Sequence, residues 1–327
     1  MNRILVTGGA GYIGSLLTAR LLADGHEVAV ADKLLHGGDS LLAYLWNPKF
    51  KFVCDDVSQP GEWETLAADA DAIVHLAAIV GFPACRDVGD QVSRRFNVES
   101  VKRVFEAAKK ARRFVFSSTY SVYGVSPDGA VNEDSPLQPQ SLYAETKLQA
   151  EEYLRSVRNA DCAPVIFRFA TLYGVSPRTR FDLIVNQFVL EAIQLSKLAI
   201  FERDYNRSFV HIRDVIEAIA MALDAPDGKV RGETFNVGSN QGNHSKMDIA
   251  QRVCKYVPGT QIELRNLTFG GDMRDVRVSY DKIERALDYH AARTVDEGIV
   301  EVRDAIQGRL VADPQLPRYR NHSFIVQ

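Results

Sequence analysis

Short, continuously apolar runs alternate along the first half of the chain with stretches whose apolar residues recur at helical spacing. The runs RILVTG, HEVAVAD, FKFVCDD, DAIVHLAA, RRFVFSS and APVIFRFA read as six strands. Their lack of strict alternation predicts strands covered on both faces, as in a parallel sheet. GYIGSLLTARLLADG, with helical periodicity and a closing Gly25, predicts a helix after the first strand. A second helix is expected over about 97–111. A third is expected over PQSLYAETKLQAEEYL, with Ser141 as N-cap and Glu145 in its first turn. Strands separated by helices imply βαβ units with right-handed crossovers.

The second half is less regular. Loops are expected at 176–180, 202–208 and 240–245, ETFNVGS reads as one more strand returning to the sheet, and helices are expected near 246–257, 281–287 and 296–310. The final ADPQLPRYRNHSFIVQ has two prolines and no periodicity, which predicts an extended tail packed on the surface or on a partner. The whole predicts a doubly wound α/β sheet of the Rossmann type with a smaller C-terminal α/β substrate lobe. Residues 1–170 with about 206–238 form the expected dinucleotide domain, and about 171–205 with 239–327 the substrate lobe.

Composition narrows this picture little. The 327 residues are 46% hydrophobic and 25% charged, which is ordinary for a globular chain with a sizeable core. A net charge of −3 provides no field to gather nucleic acid or anionic lipid, so neither is an expected partner. Cys54, Cys85, Cys162 and Cys254 are far apart, which suggests neither a zinc site nor a disulfide framework and points to a reducing cytoplasm. No metal is expected. The N-terminus opens on a strand-like run, not a signal peptide.

The chemistry begins at VTGGAGYIGS. Gly8, Gly11 and Gly14 follow the first strand and enter a helix. In that context the first glycine permits the tight turn, the second lets backbone approach a pyrophosphate, and the third lets helix and strand pack closely. The helix N-terminus supplies amide donors for the anion. Asp32 ends the second strand, about 20 residues on. A carboxylate there accepts ribose hydroxyls and repels a 2′-phosphate, so NAD is expected as cofactor. A glycine turn that merely packs, with Asp32 as a helix cap, is the plainer alternative.

Two further segments carry candidate catalysis. SSTYSVYG places hydroxyls at the end of the fifth strand, and SLYAETK places Tyr143 and Lys147 four apart, on one helix face. An ammonium and an oxidised nicotinamide both favour tyrosinate. Such a phenolate can take a proton from a sugar hydroxyl as hydride leaves the same carbon. Thr119 is placed to fix the substrate oxygen. Alone, the Tyr/Lys pair would read as an ordinary amphipathic helix. His75 and His211 read as structural.

The ordered set TGGAGYIG, HLAA, SSTYSVYG, YAETK, RFATLYG, RSFVHIRDV and FNVGS resembles the extended short-chain dehydrogenases/reductases, the nucleotide-sugar epimerases and dehydratases, over nearly the whole chain. The resemblance implies Thr119, Tyr143 and Lys147 as the catalytic group. It implies NAD contacts from Gly8, Gly11, Tyr12, Ile13, Gly14 and Asp32, with Asp56 and Val57 at the adenine. Leu76, Ala77 and Ala78 line the cofactor channel, beside Tyr143 and Lys147. For the sugar nucleotide it implies Thr171, Arg180, Asp182, Arg207 and Arg274; Thr171 stands where many relatives place asparagine. Related 4,6-dehydratases carry an Asp-Glu pair after the strand threonine, whereas this chain has Tyr120 and Ser121. AAIVGFPAC and SPRTRFDLIVN further resemble a branch of bacterial heptose and deoxysugar oxidoreductases. The resemblance therefore implies an NAD-dependent epimerase acting on a nucleoside-diphosphate sugar, at C4 through a transient 4-keto intermediate. The alternatives are a sugar-nucleotide 4-dehydrogenase or ketoreductase, then a 4,6-dehydratase or a non-catalytic NAD sensor. Helices around 97–111 and 143–158 pair subunits in many relatives, which implies a homodimer.

Overall fold

The computed structural model describes residues 2–126, 129–157, 162–201, 203–265 and 275–322. Five strands follow one another through the first half: β1 (Arg3–Thr7), β2 (Glu27–Asp32), β3 (Phe50–Cys54), β4 (Ala72–His75) and β5 (Arg113–Thr119). With Ala163–Phe169 and Thr234–Val237 they form one parallel sheet. Its order is Thr234–Val237, Ala163–Phe169, β5, β4, β1, β2, β3. The last strand returns to the sheet as ETFNVGS predicts. Because the chain turns from β1 outward in both directions, the strand order reverses between β1 and β4. A ligand crevice forms at the carboxyl ends of strands at such a switch point.

The apolar strands are explained by two cores, one on each face. One packs Leu17 and Leu21 of helix α1 (Tyr12–Ala23) and Val215 and Ile219 of Ile212–Asp224 against β1 and β2. The other packs Trp63, Val101, Phe105, Ala150 and Leu154 against β4 and β5. A third core joins Val185, Val189, Ile249, Val253, Ile299 and Val302, from the helices Ile184–Leu195, Lys246–Tyr256 and Val295–Gln307. A parallel pair, Lys197–Phe201 with Gln261–Arg265, also lies in this region.

Three expectations need correction. The segment at 202–208 is not all loop, because a strand runs from Asn206 to His211 and pairs with both Thr171–Tyr173 and Asn243–Ser245. The segment at 240–245 is a single 3₁₀ turn followed by that last short strand. Its polar residues replace ladder partners and caps: Asn243 Nδ2 donates to Val278 O and its Oδ1 accepts Val278 N, both at 2.9 Å, while Ser245 caps Lys246–Tyr256 in a capping box. The helix expected over 97–111 instead starts at Asp90, passes through a π-helical turn at Arg95–Glu99 and stops at Ala107. Finally, Ser141 caps Leu142–Ser156 by accepting Ala144 N at 3.3 Å, and His211 caps Ile212–Asp224 while its Nε2 meets Glu301 at 2.7 Å. Among the described residues no helix is long and apolar enough to cross a membrane.

Candidate active site

A cavity of about 350 Å³ opens at the switch point. Its floor is the glycine turn. Gly8 has φ +74 and donates its N–H to Ala31 O at 2.9 Å. A Cβ on Gly8 would lie 2.7 Å from Ala77 N, and one on Gly14 would lie 2.3 Å from Gly8 O, so only glycine lets turn, helix and neighbouring strand approach so closely. The first turn of α1 has Gly11 as N-cap and no side-chain cap, leaving its amides to face the cavity. Tyr12 Oη donates to Gly174 O at 2.7 Å and ties the turn to the opposite wall.

Asp32 closes one end. Its two carboxylate oxygens accept Ala10 N at 2.9 Å and Leu34 N at 2.7 Å, which fixes the group at the tip of β2. Burial pushes its pKa up, against these backbone donors. Lys33 does not offer a free ammonium to a 2′-phosphate, because Asp56 holds it at 2.9 Å. A dinucleotide fits this geometry: cradled amides for a diphosphate, a fixed carboxylate for ribose hydroxyls, and Val57, Leu76, Ala77 and Ala78 along the wall.

Thr119 ends β5 at the other end of the cavity. Its Oγ1 accepts Ser121 N at 3.1 Å and donates to Ser121 Oγ at 3.0 Å. Tyr143 lines the same end, and Lys147 stands one turn further along its helix. Lys147 is 2% exposed, and its Nζ donates to Ser117 O at 2.7 Å, 4.8 Å from the centre of the Phe116 ring. Burial pulls its pKa down to about 8, against Cys85 and Glu151. The post-β4 loop is pinned from behind by Asn97, in the π-helical turn. Asn97 accepts Ile79 N at 2.8 Å and donates to Ile79 O and Thr146 Oγ1, both at 3.0 Å. An inserted turn at a functional wall suits this use, and helical periodicity does not announce it.

The cavity thus gathers Gly8, Gly11, Tyr12, Ile13, Gly14, Asp32, Asp56, Val57, Leu76, Ala77, Ala78, Thr119, Tyr143, Thr171 and Arg180. Asp182 lies behind Arg180 and grips it at 2.9 and 3.0 Å. Arg207 is fully buried away from the lining and donates to Asn206 O at 2.9 Å. Arg274 lies outside the described residues. Sequence reasoning passed over His36, Arg178 and Asn321, which also line the cavity. Arg178 sits in the SPRTRFD segment, two residues from Arg180, but spacing alone does not say which arginine turns inward.

The acids lining the cavity, among the described residues, are Asp32, at the end of β2, and Asp55 and Asp56, just past β3. In the sheet order β2 lies three strands from β5, a separation of about 14 Å. In the positions following Thr119, Tyr120 Oη bonds Thr171 Oγ1 at 2.9 Å and Ser121 bonds Thr119.

Comparison with known proteins agrees with this geometry. Residues 4–238 match the model of the NAD dependent epimerase/dehydratase family. A UDP-glucose 4-epimerase of Mycolicibacterium smegmatis is 35% identical over 248 residues, 72% of this chain and 77% of that protein. A UDP-glucuronic acid 4-epimerase from Bacillus cereus, solved with UDP-glucuronic acid and NAD, superposes with a TM-score of 0.83 at 28% identity, covering 94% of this chain and 99% of the other. A dTDP-glucose 4,6-dehydratase from Streptomyces venezuelae, solved with NAD, gives 0.80 at 27% identity, with 94% and 98% covered.

Proposed function

The chain belongs to the NAD dependent epimerase/dehydratase family, an NAD-dependent enzyme of nucleotide-sugar chemistry, and from that premise we propose that it epimerises a nucleoside-diphosphate sugar at C4. The observation that carries this is that, among the described residues, no carboxylate lines the cavity beside Thr119 and Tyr143. Thr119 and Tyr143 line one end of the cavity with Lys147 behind, while the lining acids stand at the cofactor's ribose end. Elimination of water from a sugar needs an acid and a base at the substrate, and Tyr120 and Ser121 occupy those places. That speaks against the dehydratases among the relatives.

When bound, NAD supplies the hydride acceptor. Thr119 holds the substrate oxygen by its hydroxyl. Tyr143 takes that oxygen's proton and returns it, so one oxygen is addressed in both directions, as epimerisation requires. Lys147, whose pKa burial lowers to about 8, still carries its charge at neutral pH and in that form favours the deprotonated tyrosine. Thr171 and Arg180, the latter held by Asp182, are assigned to the sugar nucleotide; Arg207, buried away from the lining, reaches it only if the site rearranges, and Arg274 lies outside the described residues. We place the sugar nucleotide against residues of about 171–205 and 239–327, with NAD on 1–170 and about 206–238.

The test is to incubate the purified protein with a panel of sugar nucleotides, without added NAD, while resolving products and following reduced nicotinamide. The expected result is a C4 epimer with no accumulation of free NADH. Stoichiometric NADH with a keto or acid product would establish the net oxidoreductase instead, and a 4-keto-6-deoxy product the dehydratase. On the substrate so found, Tyr143→Phe should lower kcat at least about 100-fold with NAD still bound.

A further inference from the structure

Among the described residues, Arg178 is a buried cation without a paired counter-ion. It is 3% exposed and lines the cavity that holds the glycine turn and Asp32. Its hydrogen bond is to a carbonyl, Arg320 O, at 3.3 Å, and its Nε has no partner. Among the described residues it makes no ion pair; the neighbouring Asp182 is engaged by both Arg180 and Asn321 N. A guanidinium buried in this way is costly unless an anion reaches it. Burial and the Arg180 charge pull its pKa down to about 9, while Asp182 and Asp32 act in the other direction.

The end of the chain holds this arginine in place. Residues 318–321 bond to several distant segments of the chain. Arg318 pairs with Asp39, beyond β2; Tyr319 O accepts Phe181 N at 2.9 Å; Arg320 O accepts Arg178; and Asn321 Nδ2 donates to Val80 O at 3.3 Å, beyond β4. Asn321 is 7% exposed, lines the cavity, and its Oδ1 is unpartnered. The segment therefore ties together the chain beyond β2, the chain beyond β4 and the stretch that carries Arg178. The described part of the tail packs on the surface as expected but is not extended throughout: it forms a 3₁₀ turn at Pro317–Tyr319, and Asn321 reaches the cleft.

We propose that Arg178, held by the terminal strap of residues 317–322, binds the diphosphate of NAD from the wall opposite the glycine turn and slows the cofactor's release. A diphosphate could also arrive with the sugar nucleotide. Arg178 lines the same cavity as the glycine turn, Asp32 and His36, and its charge reaches Asp32 and His36 as well as Arg180 and Asp182, so the cofactor is the diphosphate proposed for it. The inference stands whether the enzyme epimerises or performs net oxidoreduction.

The experiment uses the full chain stripped of nucleotide and follows binding of NAD, of adenosine and of UDP, GDP and dTDP, with stopped-flow release of NAD. Arg178→Met should weaken NAD binding about 10- to 100-fold, as loss of a charge-assisted hydrogen bond does, and leave adenosine unchanged. Arg318→Ala, which removes the strap's pairing with Asp39, should speed NAD release several-fold. Without cofactor, Arg178→Met should melt no lower than the wild type, since it removes an unpaired buried charge. Unchanged NAD affinity in Arg178→Met would overturn the proposal, as would weakening confined to the free nucleoside diphosphates. Equal loss of melting temperature with and without NAD would overturn it too, because it would make Arg178 merely structural.

Discussion

At the residue scale, the proposed preference for NAD turns on Asp32. Its carboxylate is locked by two backbone donors at the ribose end of the cavity, and the one adjacent ammonium, Lys33, is committed to Asp56. Asp32→Ala should weaken NAD about tenfold, the scale of one hydrogen bond to a charged group, and narrow the gap to NADP. Parallel titrations with both cofactors check this, and an unchanged ratio would count against it. His75 shows the same economy in stability. It is buried between Phe114 and Phe116, Nδ1 meets Thr7 Oγ1 at 2.9 Å, and burial pulls its pKa from 6.5 to about 3. Between those values the unfolded chain binds the proton and the folded chain does not. Its contribution is therefore complete above pH 6.5 and is lost as pH falls toward 3, at up to about 1.4 kcal/mol per pH unit. Denaturant unfolding of His75→Gln should show a flatter profile over that window than the wild type.

At the scale of elements, the glycine turn depends on contact between α1, β1 and the loop after β4. A Cβ on Gly14 would lie 2.5 Å from Gly9 Cα as well as 2.3 Å from Gly8 O, so both contacts are backbone and neither can swing away. Gly14→Ala should destabilise by about 1–3 kcal/mol, the range for overpacking, and abolish NAD binding with it. A variant that unfolds at the wild-type denaturant midpoint would show that α1 can tilt away without loss. The helix Leu142–Ser156 was legible in the sequence down to its cap, because Ser141 and the Tyr143–Lys147 spacing are local features. The helix boundary at 90–107 was not. Its π-helical turn exists to aim Asn97 at Ile79 and Thr146, and those partners lie 18 and 49 residues away.

For the whole molecule, a cofactor held between the glycine turn and the opposite wall should couple its binding to global stability. NAD at a hundredfold its Kd should raise the unfolding free energy by about 2.7 kcal/mol, read as a shift in the denaturant midpoint at constant slope. No shift at saturating NAD would mean that the unfolded chain binds it equally. The sequence by itself determined the parallel sheet, the glycine turn, Asp32, the hydroxyl-bearing end of β5 and the Tyr143–Lys147 helix face. Each is set by periodicity or backbone freedom within a few residues. The tertiary structure alone decided that Arg178 turns inward, that Arg207 is buried away from the lining, that the tail returns to the cleft, and that the lining acids stand at the far end from Thr119. Those outcomes join segments as far apart as Asp39 and Arg318, and such pairings depend on how the packed elements bring their loops together, which no local pattern records.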